Sequence, residues 1–434
     1  MEKTKENYNV YKIAMLISLS CVLQISESLI PHPIPGLRLG LANCMTLIAL
    51  VTLGFGPALE VAILRTILSS FIMGTFMSPT FILSFSGAFV STLVMGLLYW
   101  LSGFHHRYRL SIVGISILSA LSHNLVQIYL AYLILVRHKG IFVFLPWLCM
   151  GAVLMGWLTG VVAGKVCLKL KKQDALKLII EKNPKEHSLL EFRQYFPGHS
   201  YLHRLRADFK IMGIFLLSLV VLIFTNSWLY LALFLFLIVL TLASATPFNF
   251  LFFKMKKSTA LILASFLFPL FFNSGKHILL NLAYFKVTSE GLTLGAIFAL
   301  RVLFLILISS LLVRTTSPQD LTRGLTKVLS PLGFMGISQQ RTADIFSLSW
   351  MAIPVFWEMA RNAIRAADLK SIKSLRNLTP LLSEIIAYLC LETEGVGVFW
   401  ENNKLTEERP EILRKEGVNY RKSNLDSITI VSEV

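Results

Sequence analysis

Six polar side chains lie in or beside long apolar runs in the first third of the chain: Glu27, Arg38, Asn43, His123, Asn124 and Gln127. An ionisable group or an amide inside such a run costs several kcal/mol unless it is paired or hydrated, so each one marks a site by default. Glu27 and Arg38 flank the turn PHPIPG and can pair across it. His123, Asn124 and Gln127 fall on one helical face by their i, i+3 and i+4 spacing. Together with Asn43 they suit the lining of a pocket that opens outward and holds a small molecule, with Arg38 suited to an anionic group. The same amides and imidazole also suit hydrogen bonding between helices, and the residues alone leave both readings open. Glu60 and Arg65, nearer the inner side, are expected to form a structural ion pair.

Other chemistries lack their residues. No stretch reads G-x-x-x-x-G-K-[ST], so the chain has no phosphate loop with which to hydrolyse ATP. Prenyl-diphosphate synthesis needs clustered aspartates to hold magnesium, and Asp174, Asp208, Asp320, Asp344, Asp368 and Asp426 are all far apart. His32, His105 and His106 have no cysteine or carboxylate at ligand spacing, so no metal site is expected. Cys21, Cys44, Cys149, Cys167 and Cys390 show neither pairing nor metal-type spacing, and they read as small apolar residues. The chain is therefore read as non-enzymatic, with no cofactor of its own.

The elements that must position these side chains are membrane helices. Hydrophobic residues make up 55% of the 434 and the mean hydropathy is +0.67, more apolar surface than a soluble fold can bury. The formal net charge of +17 gathers in loops between apolar runs, as the positive-inside rule requires, so no nucleic-acid partner is implied. Apolar segments of span length fall at about 11–29, 38–54, 57–76, 80–101, 110–135 and 141–168, then at about 209–225, 228–246, 258–273 and 290–313. This predicts an all-α, multi-pass protein of the cell membrane with about ten spans and both termini cytosolic. Four regions are expected: a six-helix domain over 1–170, a cytosolic linker over 171–194, a second membrane domain over 195–395 and a polar tail over 396–434. From Arg314 to about Glu394 charged and apolar residues alternate at helical spacing, which predicts long amphipathic helices rather than spans.

The stretch YFPGHSYLHRL resembles the opening signature of the T component of energy-coupling-factor transporters. Its carriers are Pro197, Gly198, His203, Arg204 and Leu205. The segments LLVRTTSPQDLTRGLTKVLSPLGFMGI and FSLSWMAIPVFWEMARNAIRAA are similar to that family's exit from its last membrane helix and to its coupling helix. The resemblance implies a scaffold whose cytosolic helices sit in grooves of two ATP-binding-cassette subunits, which bind the ATP and magnesium. Where the family ends its coupling helices in Ala-Arg-Gly-like triplets, this chain reads Arg365-Ala366-Ala367-Asp368 and Glu392-Thr393-Glu394-Gly395, so Arg361 and Arg365 are the candidate ATPase contacts. The first half, through IPHPIPGLRLGLANCMTLIAL, the Arg65 region and LSHNLVQIYLA, resembles the Gx transporter group, or heptaprenyl diphosphate synthase component I. Its implied fold is that of the substrate-binding S component of the same transporters. A fusion of the two implies an importer subunit that captures a small molecule, such as a vitamin or isoprenoid precursor, and couples it to separate ATPases. The alternatives are a noncatalytic membrane partner of polyprenyl-diphosphate synthesis and an uncoupled carrier or sensor.

Overall fold

The computed structural model describes residues 2–29, 40–104, 110–136, 139–171, 198, 200–224, 226–244, 246–272, 277–282, 285–329, 339–366 and 379–390. Arg38, Pro197, His32, the His105–His106 pair, nearly all of the expected linker and the whole expected tail lie outside these residues.

In the first half the apolar runs form α1 (Glu2–Leu29), α2 (Leu41–Leu53), α3 (Phe55–Met73), α4 (Pro79–Phe104), α5 (Ile112–Ala131) and α6 (Leu145–Lys171). Gly54 separates α2 from α3. Its φ of 96° is accessible to a residue without Cβ, and its N–H closes α2 onto the carbonyls of Ala49 and Leu50. At 13 residues α2 is about 20 Å long, shorter than the bilayer core. Past Ala131 the last turn of α5 widens into a π-turn, Tyr132–Val136. Helices α5 and α6 approach closely because a Cβ on Gly156 would lie 2.7 Å from the Cα of Ile117, and one on Gly160 would lie 2.7 Å from that of Val113. Large apolar side chains such as Trp100, Leu125, Trp147 and Leu154 face outward, as expected for lipid-facing positions.

The second half contains the short α7 (Tyr201–Arg204), then α8 (Ala207–Ile223), α9 (Ser227–Ala243), α10 (Phe248–Lys257) and α11 (Thr259–Phe272). A two-stranded antiparallel hairpin, β1 (Ile278–Leu282) and β2 (Phe285–Thr288), leads into the long α12 (Ser289–Thr315). The periodicity did not predict this hairpin; its short apolar strands carry no turn pair of the Asn-Gly type. Two amphipathic helices follow, α13 (Pro318–Leu329) and α14 (Gln339–Ala366), and then the short apolar α15 (Thr379–Cys390). Each of the ten expected apolar segments falls on a helix over its described residues, and among the described residues six helices are long and apolar enough to cross a membrane. The molecule is an all-α polytopic membrane protein.

One apolar core runs through both halves, from Val10 to Cys390. Its junction is α14 against α1 and α3: Ile345, Phe346, Ala352, Ile353 and Phe356 are buried there, and Phe346 meets Phe71 of α3 edge-on at 6.4 Å. The apolar stripe of α14 thus covers the first half of its own chain. Helix α15 adds a polar contact, with Lys165 donating to Thr379 at 3.4 Å and Lys169 lying 3.8 Å from Glu384.

Candidate functional site: a polar cavity walled by the first six helices

A cavity of about 70 Å³ lies among α1 to α6. Of the six side chains singled out in the sequence, Glu27, Asn43, His123, Asn124 and Gln127 all line it, contributed by α1, α2 and α5. Serine and threonine complete much of the rest: Thr66, Ser84, Ser116, Ser119 and Thr159. These hydroxyls also tie the wall together, since Ser116 and Thr159 share a hydrogen bond of 2.8 Å and Ser119 donates to the carbonyl of Ser91 at 3.1 Å.

Arg65 occupies the centre of this arrangement, and here the sequence expectation is corrected. Arg65 does not pair with Glu60. Its guanidinium, 3% exposed, donates from Nη1 to Oε1 of Gln24 at 3.0 Å and from Nη2 to Oδ1 of Asn43 at 2.5 Å, bridging α3 to α1 and α2. Glu60 instead meets Arg341 of α14 at 3.1 Å. The two residues are five positions apart on α3, so they leave the helix on different faces and each finds the neighbour that its own face packs on.

Glu27, 3% exposed, has a structural task as well: its Oε1 accepts the backbone N–H of Leu41 at the start of α2. A carboxylate there satisfies an orphan donor and sits at the positive end of the helix dipole. Asn124 donates to the carbonyl of Leu148 on α6 at 2.9 Å, the interhelical bond expected of it, and also lies on the cavity wall. His123 packs over Gly87 of α4, where an added Cβ would lie 2.8 Å from its ring.

The second half carries the sequence signature in a compact cluster. His203 lies over Gly198, where a Cβ would come within 2.9 Å of the ring, and its Nδ1 shares a hydrogen bond of 2.6 Å with the Ser200 hydroxyl. Arg204 and Leu205 close α7. Lys210 reaches the C-terminal end of α12, where its Nζ donates to the carbonyl of Thr315 at 3.0 Å and to the Thr316 hydroxyl at 3.3 Å, a cation at the negative end of the helix dipole. Asp208, ahead of the apolar part of α8, joins Lys327 of α13 at 3.0 Å and Arg206 at 2.8 Å. The hydrogen bond from Lys327, then those of Arg206, hold its carboxyl down to about 2. Arg361 stacks over Trp357 at 5.7 Å, while Arg365 lies on the last turn of α14 and its side chain is outside the described residues.

Two residues central to the structure were not singled out as sites by the sequence. Arg65 had been assigned to the wrong partner. Arg301, fully buried in the middle of α12, was passed over altogether, although an arginine inside a 27-residue apolar helix was itself a sufficient signal.

The two halves match two family models: heptaprenyl diphosphate synthase component I over residues 16–166, and cobalt transport protein over residues 198–393. The energy-coupling factor transporter transmembrane protein EcfT of Brevibacillus brevis is 31% identical over 196 residues, covering 43% of this chain and 74% of that protein. That of Clostridium kluyveri is 33% identical over 199 residues, covering 44% and 73%, and that of Bacillus subtilis is 29% identical over 216 residues, covering 48% and 82%. With the Gly198–His203 cluster, the amphipathic α13 and α14 and these identities in one stretch, the chain belongs to the energy-coupling factor transporter transmembrane proteins, and it carries a component-I-like half ahead of that scaffold.

Proposed function

We propose that the first half captures a small hydrophilic solute in the cavity around Arg65, and that the second half couples its release to separate ATP-hydrolysing subunits docked near Arg361 and Arg365. The observation that carries the capture reading is the guanidinium of Arg65, held in place by the Gln24 and Asn43 amide oxygens and facing a wall of hydroxyls and amides. Such a wall supports a ligand rich in hydrogen-bonding groups. Among the described residues no Phe, Tyr or Trp lines the cavity, and Met95, Met155 and several alanines lie between its polar groups. On this reading the small members of the vitamin or isoprenoid-precursor class suit a cavity of about 70 Å³. An anionic group would suit Arg65, whose planar fork matches carboxylate or phosphate oxygens.

On the same reading the chain is non-catalytic, its first domain (1–170) and scaffold (195–395) joined by a cytosolic linker, with both termini in the cytosol. Support for the coupling role comes from the relatives, which are transmembrane proteins of energy-coupling factor transporters, and from the seating of α14 on α1, which gives any motion of the amphipathic helices a direct route to the cavity walls. Mass spectrometry of small molecules released from gently purified protein tests the capture step. The wild type should yield a polar compound that Asn43→Leu and Arg65→Gln do not retain at equal protein recovery. Identical profiles from all three would end the proposal.

A further inference from the structure

Arg301 is the largest fully buried side chain among the described residues, and its guanidinium contacts both halves at once. Nη1 donates to the carbonyl of Ile134 at 2.6 Å, in the π-turn that ends α5. Nη2 donates to the carbonyl of Phe224, just past the end of α8, at 3.3 Å. Nε donates to the hydroxyl of Tyr230 at 3.2 Å, and that hydroxyl lies 2.9 Å from the carbonyl of Val221 and 3.0 Å from that of Phe224. The last carbonyls of a helix have no partner inside it, so a helix end buried against protein needs a donor from elsewhere. Arg301 caps two such ends, one from each half, and a cation is the favoured group at the negative end of each dipole.

We propose that Arg301 is a positioning residue that sets the attitude of the first half on the scaffold: a clasp that lets go of the π-turn when the first half turns about its contact with α14. Three features distinguish clasp from pivot. The α14–α1 contact lies within the continuous core of the molecule. The apolar contacts around the clasp, where Leu83, Ala131 and Ile134 meet Val302 and Ile306, form a small separate patch. Finally, when the π-turn leaves, Arg301 keeps Phe224 and Tyr230 within its own half, so opening breaks one charge-assisted bond and strands no buried cation. The inference rests on the coupled release proposed above, but its test needs neither ligand nor ATPase.

In nanodiscs, with a cysteine-free background, spin labels at Tyr129 and Leu292 report the clasp and labels at Asn9 and Met351 report the pivot. The wild type is expected to give a narrow distance distribution for each pair. Arg301→Gln should shift the clasped-to-open ratio of the first pair by about tenfold toward open, with the second pair unchanged, and Arg301→Lys should restore most of the narrow component. Deleting Leu133, which removes the extra residue of the π-turn and leaves the scaffold intact, should have the same effect as Arg301→Gln and decides the matter if that variant cannot be purified. A broad wild-type distribution, an unchanged first pair in whichever variant folds, or equal widening of both pairs would each overturn the proposal. Loss of the solute in the capture experiment, with this distance result intact, would remove the ligand reading alone.

Discussion

Ser18 and Ser349 face each other where the two halves of the chain meet: Ser18 Oγ shares its proton between the carbonyls of Ala14, 2.7 Å away, and Ser349, 3.0 Å away, and Ser349 Oγ shares its own between those of Ile345 at 2.6 Å and Ala14 at 3.1 Å. Both side chains are fully buried, and their small size is what lets α14 lie so close to α1. Ser349→Ala should cost about 1 kcal/mol, the net worth of a hydrogen bond, whereas Ser349→Leu adds bulk where none fits and should cost about 1–3 kcal/mol. Thermal unfolding in detergent should therefore rank wild type above Ser349→Ala above Ser349→Leu. Equal midpoints for the two variants would mean that the helices separate without strain.

Replacing Glu27 tests its double duty. Glu27→Gln keeps an acceptor for the Leu41 N–H and loses only the charge at the head of α2, a cost of about 0.3–1 kcal/mol. Glu27→Ala leaves that buried donor unpaired and should cost about 1–3 kcal/mol. Comparison of the two melting midpoints measures the difference, and a Gln variant as unstable as the Ala variant would show that the charge, not the bond, is what α2 needs.

The Asp208–Lys327 contact predicts a pH dependence with a definite sign. Asp208 has a carboxyl lowered to about 2 by its hydrogen bonds, so its stabilising contribution is complete above the ordinary carboxylate value of about 4 and fades as pH falls toward about 2. The difference in stability between wild type and Asp208→Asn should be flat from pH 7 to about 5 and shrink below about 4. A difference that already changes between pH 7 and 6 would assign the effect to another group.

Topology can be read by labelling single cysteines in a cysteine-free background. With termini and linker in the cytosol, as the positive-inside rule requires, Lys185→Cys should react only after the membrane is permeabilised. Reaction from outside intact cells would invert the arrangement.

Arg361 and Arg365 carry the coupling prediction. Tagged protein purified from its native membrane should bring down ATP-binding-cassette subunits, and Arg361→Glu with Arg365→Glu should release them by reversing the contact charge. Failure of the wild type to retain any ATPase, under conditions that preserve other transporter complexes, would leave the uncoupled carrier as the better reading.

The sequence by itself determined the apolar segments, since hydropathy over a span-length window is a property of the segment alone. It also determined five of the cavity residues: a polar group in an apolar helix has few places to go, and the i, i+3, i+4 spacing of His123, Asn124 and Gln127 puts them on one face before any packing is known. The YFPGHSYLHRL signature was equally legible, because Gly198, Ser200 and His203 interact within one turn of chain. Partners were another matter. That Arg65 turns to Gln24 and Asn43 while Glu60 turns to Arg341, and that Arg301 closes helix ends from both halves, depends on which faces meet after helices far apart in sequence have packed. Spacing fixes the direction in which a side chain leaves its helix; only the tertiary structure decides what stands there, because buried charges are placed by the orphan polar groups that packing leaves to be satisfied.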